Sequence, residues 1–178
     1  LRCLVGSEMC IRDSSGPSDT AGLKALIDRL KSRGVGTTIV DGALSRLSLA
    51  SPAVTEAMIL ATGATVAGNI PELVRKTKYV YELIGIEEIE EALRTRLDPL
   101  TQGVWAVSGG GEPIDLELPS VLMLERSGEN LFRHGRRIYA TGIVTDKLFQ
   151  LLRTQQREVE LIVRDFTRVF ASPEAFYA

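Results

Sequence analysis

From Arg136 to Asp165 the chain reads strand, helix, strand, and no other stretch limits its fold so tightly. RRIYATGIV (136–144) is an apolar, β-branched run, Thr145 offers a cap to the helical DKLFQLLR, and VELIVRD returns to strand composition. Two strands joined through a helix pair in parallel and cross over right-handedly, because only that hand packs the helix back onto a twisted sheet. The expectation is an α/β fold, a mainly parallel sheet with flanking helices.

Other segments fit this frame. TTIVDG gives a buried-type strand from Thr37 to Val40 with Asp41 at its carboxyl tip, and AMILATG gives another ending at Thr62 and Gly63. VWAVS (104–108) and VLMLE (121–125) also read as strands, separated by the turn-rich SGGGEPIDLELPS. A helix from Thr20 to Ser32 can be capped by Ser18 or Asp19 and is stopped by Gly34. NIPELVRKTKYVYELIGI is a second helix, with Asn69 as cap, Pro71 in its first turn, and Ile70, Leu73, Val74, Thr77, Tyr81 and Ile84 on one face. A third, about Glu87 to Leu97, is acidic at its start and basic at its end, as the helix dipole favours. The texture changes after Pro99, so residues 16–100 and 101–178 are expected as two portions, the second a small α/β unit, with one continuous sheet as the other reading.

The opening LRCLVGSEMCIRDSSG holds both cysteines and puts its apolar residues on no single face. CLVGSEMCIRDS resembles translated adapter sequence found at the ends of assembled environmental reads. Residues 1–15 are therefore expected to be an unstructured sequencing artefact, with a genuine N-terminal extension as the other reading. The start at Leu1 rather than Met suggests a reading frame cut at its beginning.

Composition excludes several classes. The body after Cys10 has no cysteine, which removes a disulfide framework and a thiolate metal site. His134 is the sole histidine, so a histidine zinc site or a Ser-His-Asp triad would have to be built around it. A net charge of -2 provides no electrostatic reason to expect nucleic acid or an anionic membrane. No stretch approaches the ~20 apolar residues of a membrane span. A cytoplasmic location is the expectation.

Chemistry is concentrated around TTIVDGALSR and LSLASPAVTEAMILATGA. Ligands of open parallel sheets bind outside the carboxyl ends of the strands, where Asp41 can meet Mg²⁺ and Arg46 a phosphate or carboxylate. Asp41-Gly42 also reads as an ordinary turn, its carboxylate bonding local amides. If the two strands are parallel neighbours, Asp41, Arg46, Ser51 and Thr62 converge on one edge. SGGGEP (108–113) is not a Walker loop, since no Lys-Ser/Thr follows, and it reads as a flexible turn; GVGTT (34–38) fails alike. Arg133, His134, Arg136 and Arg137 read as a solvated basic turn, poor for nucleic acid without interleaved aromatics. Glu87, Glu88, Glu90 and Glu91 read as a solvated helix face, and Trp105 and Met123 as core.

VDGALSRLSLASPAVTEAMILATGA and the closing IYATGIVTDKLFQLLR with VELIVRDFTRVFASP resemble the small (B) subunit of the lysine 5,6-aminomutase reactivase. The likeness runs from about Gly34 to the C-terminus and is tightest over 40–64 and 140–172. It implies a partly P-loop-NTPase-like domain whose phosphate-binding loop belongs to the family's first half, outside this stretch. It also implies ATP and Mg²⁺ as cofactors, with Asp41, Gly42, Ser45, Arg46, Ser51, Thr62 and Gly63 on the nucleotide side and Asp41 toward the metal. The implied partners are a MutS-like ATPase subunit and an adenosylcobalamin- and pyridoxal-phosphate-dependent aminomutase. The implied task is ATP-dependent exchange of damaged cobalamin. Two other readings stand beside it: an ATP-dependent small-molecule enzyme of the dethiobiotin-synthetase type, and a non-catalytic interaction module.

Overall fold

Asp19 sets where the first helix begins: its Oδ1 accepts from the Gly22 amide at 2.7 Å, satisfying one of the donors a helix start leaves open. The structure, a computed structural model, describes residues 3–6, 9–12, 16–17, 19–41, 51–122, 131–154 and 158–177, with the backbone alone for 3–12. Helix α1 (Thr20–Lys31) buries Leu23 and Ile27. It ends where Gly34 takes φ +85°, letting Gly34 N donate to Lys31 O and Val35 N to Leu30 O. That left-handed turn is one a glycine makes without steric cost.

The chain divides into two units, Leu1–Met58 and Ile59–Ala178, rather than near residue 100. In the first, β1 (Cys3–Gly6) and β2 (Met9–Arg12) form an antiparallel hairpin, Val5 facing Cys10. The expectation of unstructured residues 1–15 is corrected to that extent. Backbone pairing needs no side-chain period, although a lone two-stranded hairpin is marginal in water.

Two expected strands are absent among the described residues. Thr37–Val40 and the AMILATG run carry no ladder, and Ile39 and Ile59 are 88% and 95% exposed. Apolar, β-branched composition favours a strand only where a neighbour takes up its amides and carbonyls, and among the described residues these runs meet none.

The second unit is built on a four-stranded sheet in the order β4 (Pro113–Leu118), β3 (Val104–Val107), β5 (Arg137–Ala140), β7 (Glu160–Val163). Only β5 and β7 are parallel, while β4–β3 and β3–β5 are antiparallel. The expectation of a mainly parallel sheet is thus corrected to a mixed one. The parallel crossover itself is present: β5 leads through β6 (Val144–Thr145) and α4 (Asp146–Arg153) to β7. A second parallel pair joins β6 to β8 (Val169–Phe170).

Alternation assigns the faces. Val104, Ala106, Ile138 and Ala140 share a core with Val144 and Leu148, with Leu161 and Val163 packed beside them. Val107, Tyr139 and Ile162 turn the other way, onto Leu93 and Leu97 of α3 (Glu91–Leu97). Because α3 packs on the sheet, no boundary falls between them at Pro99. β4 lies within the segment expected to be all turn. Its ladder shifts register between Val104 and Trp105, opposite Glu117 at φ 56°, whose amide bonds Asp115 Oδ1 at 2.8 Å. Of the expected strand 121–125, residues 121–122 form part of a helical turn and 123–125, including Met123, lie outside the described residues.

Helix α2 (Ile70–Ile84) begins as expected, Asn69 Oδ1 accepting from Glu72 N at 2.9 Å. Its expected inner face is corrected: Leu83 is its buried residue, while Ile70, Val74 and Tyr81 are 76%, 59% and 72% exposed. The helix is held by Tyr79, whose hydroxyl donates to Ala171 O at 2.7 Å and whose ring meets Phe176 edge-on at 5.4 Å. Burial, helped by the charge of Asp146, holds the Tyr79 phenol above its ordinary 10.0. Burial does the same for Tyr139, with Asp98 adding to it and Arg164 and Arg168 opposing. Both phenols ionise later folded than unfolded, so stability is complete below the ordinary 10.0 and falls as pH climbs through the raised values. An alkaline titration should show these tyrosinates appearing together with loss of circular dichroism. A tyrosinate signal complete at the ordinary value, with the dichroism intact, would contradict both environments.

Candidate functional site

The residues expected to form a nucleotide edge belong to both units. Asp41 is exposed and directly follows the Thr37–Val40 run in the first unit. Gly42, Ser45 and Arg46 lie outside the described residues. Ser51 is buried and organises a turn: its carbonyl accepts from Val54 N at 2.9 Å, Thr55 N at 3.0 Å and the Thr55 hydroxyl at 3.2 Å. Its own hydroxyl accepts from Ala53 N at 3.3 Å. These bonds lie within the loop itself, with Pro52 fixing its first step.

Thr62 and Gly63 belong to the second unit. Thr62 Oγ1 shares a 3.0 Å hydrogen bond with Thr77 Oγ1 of α2, Gly63 O accepts from Val66 N at 3.0 Å, and Lys76 Nζ reaches Val66 O at 3.3 Å. These contacts dock the loop onto α2. The strands meant to align the two loops are absent among the described residues, so the premise of their convergence is removed. No group of three or more histidine, cysteine, aspartate or glutamate side chains among the described residues is placed to hold a metal ion.

The closing motif assembles closely. Asp146, the first residue of α4, accepts from Ser172 N at 2.7 Å through Oδ1 and from the Ser172 hydroxyl at 3.0 Å through Oδ2. Thr145 holds the cap position but its hydroxyl makes no capping bond. Asp165 Oδ1 accepts from the Thr167 amide at 2.9 Å and from its hydroxyl, closing a helical turn over Phe166–Arg168. Arg153 Nη2 donates to Glu174 O at 3.0 Å and Ala175 O at 2.6 Å, tying down α5 (Pro173–Tyr177), and Arg75 pairs with Glu174. Asp146 and Ser172 of these motifs thus join the start of α4 to the link between β8 and α5, and Asp165 with Thr167 closes the turn before β8. Their arrangement is a clasp, with each carboxylate supplied by a donor of the chain itself.

A groove of about 350 Å³ is lined by Glu88, Ile89, Glu91, Arg94, Thr95 and Asp98 along α3. Its charges face one another, Arg94 lying 4.0 Å from Asp98, and it gathers no convergent donors. His134 sits exposed in the turn before β5. Strand β4 was discernible from Ile114, Leu116 and Leu118 alternating with Asp115 and Glu117, a period of two obscured by the neighbouring glycines and prolines.

The described residues define a mixed α/β protein with a small sheet and flanking helices. No helix among them is long and apolar enough to cross a membrane. No family model, curated protein or solved structure matches the chain.

Proposed function

We propose that this chain supplies part of a reactivating factor which, with a MutS-like ATPase subunit, restores an adenosylcobalamin-dependent 5,6-aminomutase by exchanging damaged cobalamin. The observation that carries this reading is the pair of motif blocks, VDGALSRLSLASPAVTEAMILATGA and VTDKL with RDFTRVFASP, in one chain and in that order. The clasp made by Asp146, Ser172, Asp165 and Thr167 supplies a structural reason for the second block's polar residues. Under this reading ATP and Mg²⁺ act in the intact factor, with Asp41 facing the metal, and a ligand drives exchange only by binding two states of the factor unequally.

The test reconstitutes the factor from its two subunits and follows recovery of a turnover-inactivated aminomutase with ATP and fresh cobalamin. Recovery should depend on this chain, and Asp41→Ala in the intact subunit should abolish it. Calorimetry on the 178-residue chain alone should register no tight ATP binding. Unchanged recovery with Asp41→Ala would return that residue to a structural turn, and micromolar ATP binding by the isolated chain would overturn the division of labour.

The exposed stripe of Ile70, Val74 and Tyr81 on α2 favours a second reading, that of an interaction module. In the same reconstitution, Val74→Lys with Tyr81→Lys should leave stability within ~0.5 kcal/mol, as surface substitutions do. If partner binding is lost while Asp41→Ala has no effect, the module reading replaces the nucleotide-linked one.

A further inference from the structure

The SGGG segment and the basic turn before β5 are 20 or more residues apart in sequence, yet the antiparallel β3–β5 ladder brings them to one edge of the sheet. Trp105 faces Tyr139 and Ala106 faces Ile138, so the loop leaving β3 runs beside the turn entering β5. A Cβ on Gly135 would lie 3.8 Å from Val107 O, which places the two segments in contact.

The loop is closed by Ser108 N donating to Glu112 O at 3.0 Å, Glu112 N to Ser108 Oγ at 3.0 Å, and Gly111 N to Ser108 O at 2.9 Å. This leaves the successive amides of Gly109 and Gly110 with no acceptor among the described residues. Two nearby carboxylates are already matched, Arg96 holding Glu112 at 2.9 Å and Arg137 holding Glu160 at 2.6 Å, while Glu158, beside Gly135 in the β5–β7 register, makes no ion pair among the described residues. Arg133 and Arg136 make no ion pair among the described residues, and Arg136 Nη1 is buried without a hydrogen-bond partner. A buried guanidinium nitrogen with no acceptor is costly, which favours a side-chain rearrangement that brings Arg136 to an acceptor.

We propose that this edge binds the dianionic phosphate group of a small phosphorylated molecule. The Gly109 and Gly110 amides donate to its oxygens, as successive backbone amides do in anion-binding concavities. Arg136 and Arg133 supply charge-assisted bonds from the facing turn. Taken singly, the loop fails the Walker pattern and the turn lacks nucleic-acid character. Only their juxtaposition makes a phosphate site, and it is independent of the nucleotide edge around Asp41.

The test is a titration of the full chain with inorganic phosphate, followed by backbone amide resonances, with sodium chloride at matched ionic strength as control. Saturable shifts at Gly109 and Gly110 are expected with phosphate and not with chloride. Arg133→Gln with Arg136→Gln should weaken binding at least about tenfold, the loss of one charge-assisted pair. Gly109→Asp gives the same readout without touching a buried group: an added Cβ meets nothing within 4 Å, and the new carboxylate repels the ligand. Glycerol phosphate separates the sources, since tighter binding than phosphate identifies an organic phosphate ester and equal binding identifies free phosphate. Shifts that grow linearly as with chloride, or undiminished binding by Gly109→Asp, overturn the proposal.

Discussion

Leu148→Ala is expected to destabilise the second unit by about 3 kcal/mol, within the ~2–5 kcal/mol of buried leucine truncations. Leu148 is the buried residue of α4, 1% exposed, in the core with Ala106, Ile138, Ala140 and Val144. Truncation removes the transfer free energy of its side chain and leaves a void beneath the helix. Three of its neighbours lie on β3 and β5, whose backbones are fixed by ladders on both sides, so the void cannot close by a strand moving inward. Urea denaturation should show a lower midpoint at unchanged slope, since the surface exposed on unfolding stays nearly the same. Gln150→Ala, on the exposed side of the same helix, should move the midpoint little. A Leu148→Ala loss below ~1 kcal/mol would mean that α4 is not seated on the sheet.

That helix also shows what pattern reasoning reaches. DKLFQLLR has one apolar face, and its boundaries and the parallel pairing of its flanking strands followed from period and connection alone. The caps of α1 and α2 were legible because Asp19 and Asn69 act on amides three residues away, a purely local event. TTIV and AMIL failed for the converse reason, their composition being no guarantee of a strand to pair with. The face of α2 failed similarly: Ile70, Val74 and Tyr81 share a stripe at helical spacing, but a stripe records capacity for burial and not the presence of something to cover it. The convergence of Asp41, Arg46, Ser51 and Thr62 supposes that those two strands are parallel neighbours, and neither strand is present among the described residues. The phosphate edge escaped notice because its halves, Gly109-Gly110 and Arg133-Arg136, meet only once the β3–β5 register is known. Even the clasp was half hidden. The pattern offers Thr145 as the cap, whereas Asp146 makes the bonds, to a serine 26 positions away.

Asp146→Ala should accordingly cost about 3 kcal/mol, more than the ~1 kcal/mol typical of a lost helix cap. Its carboxylate accepts two bonds from Ser172, each of the charge-assisted kind worth ~1.5–3 kcal/mol, and it stands at the positive end of α4. Removing it leaves the Ser172 amide without its acceptor where β8 turns into α5. Ser172→Ala should cost only about 1 kcal/mol, because the shorter, backbone bond to Asp146 survives. The double mutant should then be less damaging than the sum, since the hydroxyl bond is lost only once. The damage should be felt at a distance along the clasp: Phe176, packed edge-on to Tyr79 and against Phe149, lies four residues beyond Ser172. Near-ultraviolet dichroism from this aromatic cluster should weaken before the far-ultraviolet signal does. If instead Asp146→Ala leaves both stability and the aromatic signal unchanged while reactivation is lost, the acidic residue of the VTDKL motif serves a ligand or partner, and the clasp is incidental to it.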